Sequence, residues 1–87
     1  MKLHTLKIKS QYFLEVWQGF KTFELRKNDR DYEVGDLIHF IDAEDGEEFP
    51  FEDVIYKITY ILKDVPEYGL KKGYCILGIK KLVEEKQ

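Results

Sequence analysis

The chain has 87 residues, a length that suits one domain with one modest hydrophobic core. Its apolar fraction of 44% and charged fraction of 36% are typical of a soluble globular protein and exclude a disordered or fibrous one. It contains no apolar run near the ~20 residues that a membrane span needs, and its one cysteine cannot form an internal disulfide. We therefore expect a single cytoplasmic domain over residues 1–87, without membrane association.

The net charge of −3 conceals a segregation of charge along the chain. Residues 1–30 hold seven Lys and Arg against three Asp and Glu, residues 31–67 hold two against twelve, and residues 68–87 hold five against two. Phosphate contacts depend on a local basic patch and not on the net charge of the whole chain, so an acidic chain can still bind nucleic acid. The alternative is a solvated surface with unevenly distributed charge.

The first 20 residues predict a strand followed by a short helix. Alternation of apolar and polar residues over 4–9 indicates the strand. Ser10 is a candidate helix N-cap, and Gly19 stands where a helix ends in a left-handed turn. Between them, residues spaced i, i+3, i+4 and i+7 form one apolar helical face: Phe13, Val16, Trp17 and Phe20.

Residues 21–27 return to strand alternation, and the rest of the sequence is rich in strands. Turn residues over 28–36 precede a third strand at 37–41, and an acidic loop covers 42–53. Further strands are predicted at 54–62 and 74–83, separated by a segment with room for a helical turn, and residues 84–87 are expected to fray. Strands without β–α alternation predict an α+β, mainly β fold: a small mixed or antiparallel barrel with one N-terminal helix beside it.

The strand at 21–27 carries charges that a purely structural role does not require. Phe23 and Leu25 share one face, and Thr22, Glu24 and Arg26 form a polar row on the other. Because Gly19 and Phe20 bring the helix into this strand, we expect the row to face a groove beside the helix. Arg26 offers a fork of donors suited to phosphate or a base edge, and Lys21 offers a point charge. The alternative is a surface ion pair along one strand.

The run "GFKTFELR" fits the pattern Gly-x-Lys-x-x-Glu-x-Arg and resembles the signature of ASCH domains, a branch of the PUA-like superfamily. Its context, "HTLKIKSQYFLEVWQGFKTFELRKNDRDYEVGDLIHF", is similar to the start of a small bacterial and phage ASCH-like family. The similarity covers residues 4–41 well and residues 54–81 more loosely. It implies a PUA-like β-barrel of about five to six strands, with the helix packed beside a cleft that binds RNA or a nucleotide.

The resemblance also implies which residues bind the ligand. Carried over position by position, Gly19, Lys21, Glu24 and Arg26 line the cleft, and Thr22 lies within the signature. Residues 28–30 fit the family's polar turn. Within that turn Arg30 is the side chain that turn geometry explains least, so we rank it just behind Arg26 as a ligand contact.

Two other functions stay open. The chain is also similar in size to one ASCH branch that looks like an amidohydrolase of acylated cytidine. In that branch catalysis is attributed to the lysine of the signature and to a threonine at the position of its glutamate, among other residues. This chain keeps the lysine as Lys21 but has Glu24 where that threonine stands, which leaves the hydroxyl nucleophile in doubt. Lys21 and Glu24 would then act as an acid–base pair on water. The third possibility is an interaction domain that binds another protein.

The remaining candidates favour structural roles. His4 and His39 are expected to be hydrogen-bonded and half-buried, and their spacing predicts no metal site; Cys75 is expected to be a small buried hydrophobe. No cofactor is implied. Four aromatic residues are expected to build the core between helix and barrel: Phe13, Trp17, Phe20 and Phe23. Six tyrosines are candidates for an exposed base-stacking surface: Tyr12, Tyr32, Tyr56, Tyr60, Tyr68 and Tyr74.

Overall fold

The computed structural model of the protein describes residues 1–50 and 54–82. Five strands and two helical segments follow one another along the chain: β1 (Leu3–Ile8), α1 (Ser10–Trp17), β2 (Phe23–Lys27), β3 (Leu37–Asp42), β4 (Ile55–Lys63), a single 3-10 turn (Pro66–Tyr68) and β5 (Tyr74–Lys81). Each lies within two residues of the segment that its sequence pattern predicts. Two expectations, the end of the acidic loop at 51–53 and the fraying of 84–87, lie outside the described residues.

The strands form one sheet in the order β1-β3-β4-β5-β2, curled into a half-barrel. β1 pairs with β3 in parallel, and the other neighbours are antiparallel. This confirms a small, mainly β, α+β fold with one α-helix. β1 and β2, which are successive strands in the chain, therefore form the two opposite edges of the sheet, and the curl brings those edges towards each other.

The core fills the concave side of the sheet. Alternate residues of each strand point inwards, which the period of two along a strand dictates. The buried apolar side chains come from every strand except β2: Leu6, Ile8, Ile38, Phe40, Tyr56, Ile58, Cys75, Leu77 and Ile79. They are joined by Phe13 and Val16 of α1 and by Tyr32. Cys75 is fully buried, as expected, and burial raises the pKa of its thiol.

The helix α1 closes one side of this core. Phe13 stacks on Phe49 with ring centroids 4.1 Å apart, and Trp17 packs against the buried cluster. Gly19 ends the helix with a φ of +89°, in the left-handed region that glycine adopts readily. The predicted cap is wrong: the N-cap is Lys9, with no side-chain hydrogen bond, and Ser10 is the first helical residue. At eight residues α1 is short, and none of the described helices has the length and hydropathy of a transmembrane one.

The expected aromatic core is half right. Phe13 and Trp17 pack as predicted, but Phe20 is 82% exposed and Phe23 is 45% exposed. The reason is that Phe20 follows the end of the helix and that β2 turns its charged face, not its apolar face, towards the inside. The prediction of an exposed surface is wrong for two of the six tyrosines, because Tyr32 and Tyr56 are buried. Tyr12, Tyr60 and Tyr68 are exposed, and Tyr74 is half-buried.

A buried polar pair fixes the start of β1 against the start of β3. The imidazole Nε2 of His4 lies 2.8 Å from Asp36 Oδ2, and the backbone amides of Lys2 and Glu33 donate to the same carboxylate at 3.0 Å. The ring of Tyr32 covers His4, with centroids 4.8 Å apart. Burial opposes ionisation of Asp36, but these hydrogen bonds outweigh it and lower the pKa to about 2. Asp36 thus ties the turn before β3 to the start of β1.

Candidate functional site

The polar row of β2 faces the inside of the curled sheet. Glu24 and Arg26 lie opposite Leu77 and Cys75 of β5, both fully buried. Directly opposite residues on neighbouring strands share a face, so the two charged side chains also point inwards. Glu24 is 5% exposed, and Arg26 is half-buried. The predicted alternation of β2 is therefore correct, with the charged face turned inwards.

Glu24 holds two cations, one on each carboxylate oxygen. Lys21 Nζ lies 3.0 Å from Glu24 Oε1, and Arg26 Nε lies 2.8 Å from Glu24 Oε2. The side chains of all three residues are less than one quarter exposed. A buried carboxylate is costly unless it is paired and hydrogen-bonded. Glu24 therefore fixes the positions of both cations, and they in turn make its burial tolerable.

Lys21 sits between α1 and β2. Its backbone amide donates to the carbonyl of Glu15, which ties it to the end of the helix. Its ammonium lies 5.1 Å from the ring centroid of Phe23 and 5.6 Å from that of Tyr12. Both distances are within the range of cation–π attraction. Two aromatic rings and one carboxylate thus hold the Lys21 ammonium in place.

Two arginines connect the opposite edges of the sheet. The Arg26 guanidinium donates from Nη2 to the carbonyl oxygen of Lys7, and Arg30 Nη1 donates to that of Thr5 at 3.1 Å. The carbonyl of Ile8 accepts a hydrogen bond from the amide of Ala43, directly after β3. Successive carbonyls of a strand point in opposite directions, so those of Thr5 and Lys7 lie on the edge of β1 that faces away from β3. We call this line of contact between β1 and β2 the seam. Arg30 is an exposed residue of the seam and does not line the groove described next.

A groove of about 560 Å³ runs along the seam beside α1. Its walls come from β1, the residues after it, α1 and β2: Lys7, Ile8, Lys9, Tyr12, Lys21, Phe23, Glu24, Leu25, Arg26 and Lys27. Five cationic side chains thus face one carboxylate, and that carboxylate is already paired. Lys7, Lys9 and Lys27 are exposed. The groove is a strongly basic surface on a chain whose net charge is negative, as the charge segregation allows.

The other predicted site residues lie at a second, smaller cavity of about 170 Å³. Gly19 and Thr22 line it, together with Trp17, Tyr56 and Lys81 among others. Lys21 lines both the groove and this cavity. The structure therefore brings Lys21, Glu24 and Arg26 together as predicted, and it places Gly19 and Thr22 on the far side of Lys21.

Four lysines that line the groove or the cavity are not singled out by the sequence analysis. The groove lysines contributed to the basic count of residues 1–30, but that count does not tell which of them converge: Lys7, Lys9 and Lys27. Tyr56 is a stacking candidate by sequence, but it is buried in β4, which lies in the middle of the sheet. Lys81 belongs to the basic segment 68–87 and contacts the basic segment 1–30 at Trp17. The Trp17 carbonyl accepts a hydrogen bond from Lys81 Nζ at 2.8 Å.

Comparison with known proteins identifies a family without assigning an activity. A search of curated proteins found no match. A family model described as a domain of unknown function, DUF3850, matches residues 3–79, which include every strand except the end of β5 and all of the groove. The protein therefore belongs to the DUF3850 family.

Proposed function

We propose that the protein is a relative of the ASCH domains, with a PUA-like barrel, and that its groove binds RNA or a nucleotide in the cytoplasm. The observation that carries this proposal is the convergence of five cations on one groove with a single, already paired carboxylate. A phosphate backbone is the common cellular polyanion that such a surface suits. The resemblance of the sequence to the ASCH signature supports the same choice.

The groove residues divide into two kinds. Lys7, Lys9 and Lys27 are exposed and carry no carboxylate partner within the groove, so we assign them to phosphate contacts. Lys21 and Arg26 are held by Glu24 in fixed positions, and fixed donors suit recognition of a sugar or a base edge. Tyr12, 43% exposed beside them, offers a ring on which a base can stack.

The geometry favours binding over hydrolysis. In the amidohydrolase alternative Glu24 would take a proton from water, with Lys21 as its partner. Both carboxylate oxygens of Glu24 already accept hydrogen bonds from cations, and the side chain is almost fully buried. A general base needs an oxygen within reach of water. We therefore assign Glu24 to organising the two cations, and turnover of acylated cytidine that Lys21→Ala abolishes would reverse this assignment.

The test is a titration of a fluorescently labelled single-stranded RNA at several salt concentrations. Counterion release predicts that log affinity falls linearly with log salt, with a slope of roughly −0.7 for each phosphate contacted. The double variant Lys9→Gln/Lys27→Gln should weaken binding and flatten this slope by about 1 to 1.5. Lys57→Gln/Lys63→Gln is the matched control, because both are exposed lysines of β4 outside the groove.

Two results would contradict the proposal. Binding that does not vary with salt would exclude the phosphate contacts, and equal losses in the groove variant and in the Lys57→Gln/Lys63→Gln control would exclude the groove. Capture of a protein partner that survives nuclease treatment, without RNA affinity, would favour the interaction-domain alternative.

A further inference from the structure

Arg26 keeps free hydrogen-bond donors after it has bound to the fold. A guanidinium group carries five N–H donors and no acceptor. Nε donates to Glu24 and Nη2 to the carbonyl of Lys7, and Nη1 has no partner within the described part of the chain. In that same part the Tyr56 hydroxyl is the one buried side-chain polar atom without a partner. Nη1 is therefore not buried, and its residue is a wall of the groove.

The Lys21 ammonium also has donors to spare. It carries three N–H groups and gives one to Glu24. It lies 5.1 Å from the ring centroid of Phe23 and 5.6 Å from that of Tyr12. These two rings are 45% and 43% exposed and line the same groove. A base that stacks on either ring therefore has its edge beside a donor.

The acceptors of the groove, in contrast, are mostly engaged. Both oxygens of Glu24 accept hydrogen bonds from cations, and its side chain is nearly buried. Among the groove side chains the Tyr12 hydroxyl is the other acceptor. The backbone carbonyls of residues 7–9, in the β1 wall, also accept hydrogen bonds within the fold. A ligand edge made of acceptors thus finds partners on these walls more readily than an amino group does.

The charge of the groove is divided in a way that separates base from phosphate. Lys21 and Arg26 share the Glu24 carboxylate, so two positive charges and one negative leave a net of +1 for the three residues. The three exposed lysines of the groove have no such neighbour within it. Phosphates are therefore attracted most to the exposed lysines, and a neutral acceptor suits the partly neutralised pair.

We propose that Arg26 and Lys21 select an unpaired guanine by donating hydrogen bonds to its N7 and O6 atoms. The inference rests on the proposed function, because the phosphates of the same strand lie on the exposed lysines. N7 and O6 of guanine are two adjacent acceptors, whereas adenine places an amino donor next to N7. Arginine is the side chain that most often contacts this edge of guanine. Arg26 is thus the specificity-determining residue of the groove.

The test compares four nucleotides by NMR titration, with the backbone amides of β2 as reporters. GMP and inosine monophosphate share N7 and O6, AMP has an amino group in place of O6, and 7-deaza-GMP lacks the N7 acceptor. GMP and inosine monophosphate should bind alike. AMP and 7-deaza-GMP should bind roughly three- to tenfold more weakly, the worth of one hydrogen bond. Because all four carry the same phosphate, the difference reports on the base alone.

Arg26→Lys tests the residue itself. Lysine keeps the positive charge but not the planar fork, so this variant should lose most of the preference for GMP over AMP. Arg30→Lys is the matched control and should keep the preference, because Arg30 is an arginine of the seam outside the groove. If Arg26→Lys does not fold, the comparison of GMP with 7-deaza-GMP on the unchanged protein decides.

Three results would overturn the inference: equal affinities for GMP, AMP and 7-deaza-GMP, an Arg26→Lys variant that keeps the preference, or β2 amides that GMP does not shift. If RNA binds with the expected salt dependence and the nucleotides bind equally, the groove stands and the selection of guanine falls. If GMP is preferred but RNA affinity does not vary with salt, the guanine contact stands and the phosphate contacts of the exposed lysines fall.

Discussion

Arg26 binds two parts of the fold with one guanidinium group: Nε donates to Glu24 at 2.8 Å, and Nη2 donates to the backbone carbonyl of Lys7 across the seam. Arg26 is therefore both a wall of the groove and a link between the two edges of the sheet. Under the proposed function, ligand binding and the closure of the half-barrel thus depend on the same side chain.

Replacing Arg26 should lower stability as well as ligand affinity. Arg26→Ala removes both bonds and leaves Glu24 with one cation, which should reduce the free energy of unfolding by about 2 kcal/mol. Arg26→Lys keeps the charge but cannot donate in two directions from a planar group, so it should recover less than half of the loss. Urea denaturation provides the measurement. Lys27→Ala, an exposed neighbour on β2, should change stability by less than about 0.5 kcal/mol.

Glu24→Gln tests whether the carboxylate organises the two cations. The substitution leaves Lys21 and Arg26 half-buried without their counter-charge, and we expect the free energy of unfolding to fall by about 2–3 kcal/mol. The loss is no larger because both side chains retain partial access to water. At low salt the folded variant should bind RNA more tightly, since the groove gains one positive charge. Equal stability of Glu24→Gln and the unchanged protein would show that the pairing is of no structural consequence.

The pair of His4 and Asp36 predicts an acid-sensitive stability. The folded-state pKa of Asp36, about 2, lies below its ordinary value of 3.8, so between these values the unfolded chain binds more protons. The stabilisation, about 2 kcal/mol, is present above pH 3.8 and is lost as the pH falls towards 2.

Urea unfolding of Asp36→Asn should show this loss already at neutral pH and a flatter profile between pH 4 and 2. Asp31→Asn is the control, because the Asp31 side chain is 93% exposed. If both variants follow the same pH profile, the assignment to Asp36 is wrong.

Gly19 should resist substitution for a conformational reason alone. Its φ is +89°, and a Cβ built there meets nothing within 4 Å. Gly19→Ala should therefore cost about 1 kcal/mol of backbone strain without any clash. Gly19→Asn should cost less, because asparagine tolerates the left-handed region better. Thermal unfolding measures the two variants, and a Gly19→Ala protein as stable as the original would show that the turn relaxes.

Local patterns predict the helix and all five strands, because the spacing of apolar residues has a period of two in strands and 3.6 in helices. Leu6 and Ile8 show the first period, and Phe13 and Val16 show the second. The same patterns could not tell which face of β2 turns inwards. Alternation separates Phe23 and Leu25 from Glu24 and Arg26, but the choice between faces depends on Leu77 and Cys75, some fifty residues later.

The candidate site shows the same division. The spacing of Glu24 and Arg26 predicted that both lie on one face of β2, and their distance of 2.8 Å agrees with it. Lys21 precedes the strand, and its place beside them was implied by the resemblance to the ASCH signature. The seam could not be predicted, because the bonds from Arg26 and Arg30 to β1 require the strand order of the whole sheet. Tyr56 and Lys81 reach the cavity by the same long-range route, through the pairing of β4 with β5.

The placement of β2 has a consequence for the order of folding. In the described part of the chain β2 pairs with β5 alone, so a strand made early must wait for the last one before it gains a neighbour. Pairing of strands so far apart in the sequence slows folding, because a long loop must close before the contacts form. The wall that β2 gives to the groove therefore depends on β5 being in place, and under the proposed function a ligand in the groove would stabilise molecules whose sheet is complete.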